Sequence, residues 1–162
     1  MTRPILAAAL TGAIFLGACD PKAQPSAAPP APKPPAPAKT AFAIGTLADS
    51  DYSGIQGCMT VFSRAGSSPG NNLFVEDSVD TDAKGLMKVN DTMVGVKLVS
   101  QTHTSKGGLR LFRSADGKLS VAENYITGTA HEDTDSVEMS GTLTVTWAGA
   151  SQAIKVDGGT AC

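Results

Sequence analysis

Apolar and polar side chains alternate at every second position through much of this 162-residue chain. The clearest case covers residues 137–147, where the apolar members are Val137, Met139, Leu143, Val145 and Trp147 and the polar ones are Thr142, Thr144 and Thr146. A period of two places the two sets on opposite faces of a β-strand. The segment therefore predicts an antiparallel strand with one buried face and one solvated face.

Seven further stretches show a similar pattern, at residues 59–63, 73–76, 86–89, 93–100, 109–113, 118–126 and 152–156. Residues 114–117 (Ser-Ala-Asp-Gly) are typical of a hairpin loop between two of them. We therefore expect an all-β domain of about seven to nine strands. Periodicity leaves both an antiparallel sandwich and a small closed barrel open.

The first 41 residues differ in composition from the rest of the chain. Residues 1–18 carry Arg3 and an apolar run that is too short to span a bilayer, which is typical of a signal peptide. Residues 19–41 are rich in Pro and Ala, a composition that favours extended polyproline II and cannot bury a core. The sequence thus predicts a signal peptide at 1–18, a disordered tether at 19–41 and the all-β domain at 42–162.

The junction between signal peptide and tether reads Leu16-Gly17-Ala18-Cys19. This motif resembles the lipobox of bacterial lipoproteins, in which small residues precede a cysteine. The resemblance implies cleavage before Cys19, diacylglycerol on its thiol and usually a further acyl chain, which together anchor a protein stably to a membrane. Asp20 resembles an inner-membrane retention signal, so it favours an inner-membrane anchor facing the periplasm. The outer membrane and an ordinary secretory signal stay open as alternatives.

Two cysteines remain in the domain, Cys58 and Cys162. An oxidising compartment outside the cytoplasm favours a disulfide between them, and no CxxC motif or neighbouring histidine favours redox or metal chemistry. The bridge would close a loop of about a hundred residues and stabilise the fold by up to ~4–5 kcal/mol on the chain-entropy model. It would also fasten the C-terminal strand to the second strand.

Motifs for catalysis, metal binding or a cofactor do not rise above background. His103 and His131 lie in polar, turn-like sequence, and the serines lack a GxSxG elbow. Paired carboxylates are expected only in loops, without one held in an apolar setting. We therefore predict no catalytic residue, no metal ligand and no cofactor.

The domain is the acidic part of the chain, because residues 42–162 hold nine Lys and Arg against fourteen Asp and Glu. A chain that binds a phosphate backbone would need the opposite balance, so we predict no nucleic-acid partner.

These features suit a non-enzymatic periplasmic lipoprotein whose domain binds a protein or envelope component. Small tethered β-barrel inhibitors of lysozyme are similar to it in size and layout only, and residues 54–64 resemble uncharacterised small exported bacterial proteins, which implies no activity. The alternative is a carrier of a small hydrophobic ligand, with a barrel cavity lined by Val94, Val96, Val145 and Trp147. An enzyme would require residues far apart in sequence to converge.

Overall fold

The computed structural model describes residues 42–68, 70–78 and 81–162, so the predicted signal peptide and tether, with Cys19 and Asp20, lie outside the described residues. Nine strands make up most of the described chain: β1 (Ile44–Gly45), β2 (Met59–Arg64), β3 (Asn72–Asp77), β4 (Lys84–Val89), β5 (Thr92–Thr104), β6 (Gly107–Ser114), β7 (Leu119–His131), β8 (Ser136–Trp147) and β9 (Ala150–Ala161). Asp49–Asp51 forms a 3₁₀ turn. Within these residues, no helix has the length and apolar character needed to cross a bilayer.

Strands β2 to β9 form a closed antiparallel barrel of eight strands. Each strand pairs with the next one along the chain, and β9 pairs with β2 to complete the ring. The short strand β1 pairs with β4 and, among the described residues, is the one strand outside the ring. The all-β prediction is confirmed, and of the two architectures left open the protein adopts the barrel, which leaves no unpaired edge in the ring.

Tight turns join β4 to β5 and β8 to β9. Asn90 and Asp91 between β4 and β5 both have positive φ values, 48° and 61°, and Ala148 and Gly149 between β8 and β9 have 48° and 90°. A left-handed backbone in a two-residue turn matches the twist of the flanking strands. Residues 114–117 lie at the β6–β7 hairpin, where the sequence predicts it.

The two ends of the barrel differ. At one end, here called the disulfide end, the last β2–β9 pair is Met59 with Ala161. Cys58 and Cys162 are the next residues beyond this pair, one next to each strand. Their Cα atoms are 4.0 Å apart and their sulfurs are bonded. The predicted disulfide is therefore present, and it fastens β9 to β2 at the seam where the ring closes. The opposite end, here called the closed end, carries the β4–β5 and β8–β9 turns.

The apolar core fills the interior toward the closed end. Phe62, Phe74 and Phe112 are completely buried, and the rings of Phe74 and Phe112 meet edge to face with centroids 5.2 Å apart. Gly85 makes room for this packing, because a Cβ on it would lie 2.6 Å from the Phe74 ring. Phe42, the first described residue, belongs to the same cluster and is 5% exposed.

Candidate functional site

The four residues predicted to line a ligand cavity all lie on inward-facing positions of β5 and β8. Val96 and Val145 are buried in the core, and Val94 and Trp147 are half-buried and pack against it. Their surroundings are therefore other apolar side chains. That they line a hydrophobic ligand cavity stays a prediction.

A buried charge cluster occupies the interior between the apolar core and the disulfide end. Glu76 on β3, Arg110 on β6 and Glu123 on β7 are 0%, 8% and 1% exposed. Glu123 lies directly opposite Arg110 in the β6–β7 pair, and Nη1 of Arg110 donates across the interior to Oε1 of Glu76. The expectation that paired carboxylates lie only in loops was wrong, because two of them are buried in strands here.

The interior raises the pKa of both carboxyl groups. Burial is the main cause for Glu76 and for Glu123, since a low-dielectric interior disfavours the charged form. The charge of Glu123 raises the pKa of Glu76 further, and Arg110 opposes the rise at both groups. With one cation for two buried carboxyls, both groups are harder to ionise than an exposed glutamate, and the charge of each affects the titration of the other.

A polar cavity of about 200 Å³ lies above this cluster at the disulfide end. Its lining residues are Thr60, Ser78, Gln101, His103, Arg110, Tyr125, Met139 and Thr160. Thr60 shares hydrogen bonds of 2.7 Å with the hydroxyls of Ser78 and Thr160. Arg110 is the member of the charge cluster that lines this cavity, whereas the two carboxyl groups do not.

The histidines stay at the surface of the disulfide end. His103 is exposed at the cavity, and Nε2 of His131 lies 3.3 Å from Glu138. In the part of the chain that the structure describes, no three His, Cys, Asp or Glu side chains are grouped so that they could hold a metal ion.

A hollow of about 580 Å³, here called the outer groove, lies on the outside of the barrel. One wall is the segment before β2, which crosses the outer surface: Leu47 N donates to Asn72 O at 2.7 Å, and Asp51 is 3.3 Å from Lys88. Ile55 of this segment and Leu86 of β4 give the groove apolar surface. Gly95 on β5 faces open space in the groove, because an added Cβ there would have nothing within 4 Å.

Three cations line the outer groove in a straight row across three strands. Lys84 on β4 is directly opposite Lys97 on β5, which is directly opposite Arg113 on β6. All three side chains are exposed, and none of their charged nitrogens lies within 4.0 Å of a carboxylate oxygen among the described residues. We call these residues the basic row. Like charges placed directly opposite one another destabilise a sheet.

One acidic residue, Asp77, also lines the outer groove. Its Oδ1 accepts a hydrogen bond of 2.6 Å from the backbone N–H of Lys84, so part of its charge is used within the β3–β4 connection. The groove thus carries three cationic side chains and one anionic side chain in a domain that is acidic as a whole.

The fold and the site define an eight-stranded antiparallel barrel with a filled apolar interior and a basic groove on its outer surface. No family model, curated protein or solved structure matches the chain. Its function is therefore inferred from the chemistry of its own residues.

Proposed function

We propose that this protein is a lipid-anchored lipoprotein of the bacterial cell envelope, and that its barrel is a non-enzymatic module that binds a protein or envelope component. The observation that carries the proposal is the division between a packed interior and an open outer groove. A packed interior leaves the outer surface for recognition, and the outer groove combines apolar surface with a row of cations.

The filled core makes a carrier of hydrophobic ligands the weaker candidate. A ligand at Val96 and Val145 would have to displace side chains such as Phe74 and Phe112, which are completely buried. Protein interiors pack at the density of organic crystals and resist such insertion. The cavity at the disulfide end is polar, so it does not suit an apolar ligand either.

The buried carboxyls give no support to an enzyme as the alternative. A general acid or base must lie within hydrogen-bond reach of its substrate, directly or through one water. Glu76 and Glu123 are at most 1% exposed and do not line the cavity above them. Burial in the barrel is the main cause of their raised pKa values. Structural ion pairs perturb pKa values as catalytic groups do, so the shifts alone do not indicate catalysis.

The anchoring part of the proposal rests on Leu16-Gly17-Ala18-Cys19 and on the Pro/Ala-rich composition of residues 19–41. Cells that express the full chain and are fed radiolabelled palmitate should label the wild type, and the label should be absent from Cys19→Ser. Equal labelling of the two chains would refute lipidation at this cysteine.

The binding part is tested by photocrosslinking in the native host. A photoreactive residue is placed at one of three outward positions of the full chain: Gly95 in the outer groove, Ile126 on β7 or Thr144 on β8. Ile126 is 62% exposed, and Gly95 and Thr144 are also exposed. An adduct of one defined mass from at least one position supports a binding module. Absence of adducts from all three, with the chain present at normal level, would overturn it.

A further inference from the structure

We infer that the outer groove binds an extended segment of a partner protein in which acidic and apolar side chains alternate. The inference rests on the proposed binding function and adds the site and the chemistry of the partner. It starts from the basic row, because Lys84, Lys97 and Arg113 lie side by side and form no ion pair with an acidic side chain among the described residues.

The basic row costs stability in the free protein. Each member faces a like charge on the adjacent strand, and like-charge pairs directly opposite one another are unfavourable. An anionic ligand removes this repulsion when it binds, and the guanidinium of Arg113 can hold a carboxylate through two hydrogen bonds. Charge complementarity therefore points to an anionic ligand.

The geometry of the row favours several carboxylates over one compact anion. Neighbouring strands lie about 4.8 Å apart, so three cations on successive strands span roughly 10 Å. A single phosphate is too small to reach all three. An extended peptide advances about 3.3 Å per residue, so five residues with acids at alternate positions cover a comparable length, and the long lysine side chains absorb the difference.

The apolar surface beside the row supplies the second half of the recognition. Leu86 is paired with Gly95 two residues along the strands from the Lys84–Lys97 pair, and Ile55 lines the same outer groove. Side chains of an extended peptide alternate in direction. A peptide lying between the basic row and the Leu86–Gly95 pair therefore turns its acidic side chains toward the basic row. Its apolar side chains then face Leu86, Gly95 and Ile55.

The charge of the whole domain favours a peptide over a membrane surface. Residues 42–162 hold fourteen acidic and nine basic residues, so a broad anionic surface is repelled by most of the barrel. A narrow segment reaches only the groove and meets its local positive charge. Phospholipid headgroups are accordingly one of the outcomes that the experiment must separate.

The test measures binding of a fluorescent peptide, Gly-Glu-Phe-Glu-Leu-Glu-Gly, to the full chain purified from bacterial membranes in neutral detergent. The wild type should bind it and should bind the glutamine version, with every Glu replaced by Gln, at least tenfold more weakly. Lys97→Glu, in the centre of the row, should weaken binding of the acidic peptide at least tenfold. Lys155→Glu makes the same charge change at an exposed position of β9 outside the groove and should stay within twofold of the wild type.

Equal binding of the acidic peptide to the wild type and to Lys97→Glu would overturn the inference, as would equal binding of the acidic and glutamine peptides. Neutral micelles doped with phosphatidylglycerol separate the lipid alternative: displacement of the peptide by these micelles, but not by undoped ones, would reassign the groove to a lipid headgroup. Adducts at Ile126 or Thr144 without adducts at Gly95 would remove the groove site while leaving the proposed binding function intact.

Discussion

This barrel contains two groups of like charges, which differ in their counter-ions and in their exposure to solvent. Inside, Glu76 and Glu123 share the counter-ion Arg110 and are closed off from solvent. Outside, the cations of the basic row have solvent and an open groove in front of them. The interior group has its counter-ion within its own chain, which indicates a structural role. The exterior group has no ion-pair partner among the residues that the structure describes, which is why we propose that another molecule neutralises it.

The largest expected effect comes from removing the internal counter-ion. Arg110→Met leaves two buried carboxyls without their cation, and breaking a buried pair in this way costs about 3–5 kcal/mol. The free energy of unfolding, measured by urea denaturation at pH 8, should fall by this amount and recover partly at pH 5, where both carboxyls can take up protons. Arg113→Met, the same substitution in the basic row, should change stability by no more than ~0.5 kcal/mol. Similar losses for the two variants would erase the distinction between the groups.

The second effect is a dependence of the free energy of unfolding on pH, to which Glu123 contributes. Its folded-state pKa is raised from 4.5 to about 7, mainly by burial. The folded protein therefore binds more protons than the unfolded chain between these values, so this contribution to stability is complete below pH 4.5 and is lost as the pH rises through 7.

Glu123→Gln removes that titration. Relative to the wild type, the variant should gain about 1–3 kcal/mol of unfolding free energy between pH 5 and pH 8. Glu138→Gln, at an exposed position of β8, is the matched control and should keep the wild-type pH dependence. If the Glu123→Gln and wild-type curves run parallel, Glu123 does not hold a proton in the folded state at neutral pH.

The smallest expected effect is a slight gain in stability from a change in the basic row. Lys97→Glu replaces two like-charge neighbours by two opposite-charge neighbours, and each cross-strand pair contributes roughly 0.2–1 kcal/mol. The thermal midpoint should therefore rise slightly in low salt, and the gain should shrink in high salt because exposed charges are screened. A fall in stability would mean that the basic row does not repel itself in the free protein.

Much of the fold could be predicted because its signals are local. The alternation of Val137, Val145 and Trp147 is enough to place β8 and its inward face, and Ser-Ala-Asp-Gly at residues 114–117 marks a hairpin. The disulfide follows from counting cysteines. The choice between sandwich and barrel depends on whether the first and last strands of the ring pair with each other, a contact between segments about a hundred residues apart that periodicity does not report.

The two charged sites were missed for different reasons. Glu123 continues the inward phase of Leu119 and Val121, so the alternation could have placed this carboxyl inside, although not beside Glu76 or Arg110. The basic row leaves no local signal. Lys84, Lys97 and Arg113 become neighbours only through the registers of two strand pairs, and one residue of slip would move them to the other face.

The disulfide at the barrel seam has a topological consequence. Cys58 and Cys162 bracket all eight strands of the ring, so the backbone from β2 to β9 is a covalent macrocycle. A protease that cuts one hairpin loop, such as the β6–β7 loop, linearises this macrocycle without releasing a fragment. The nicked chain stays one molecule until it is reduced, and the pieces stay aligned for strand pairing. The domain can thus lose a peptide bond in such a loop and keep its barrel.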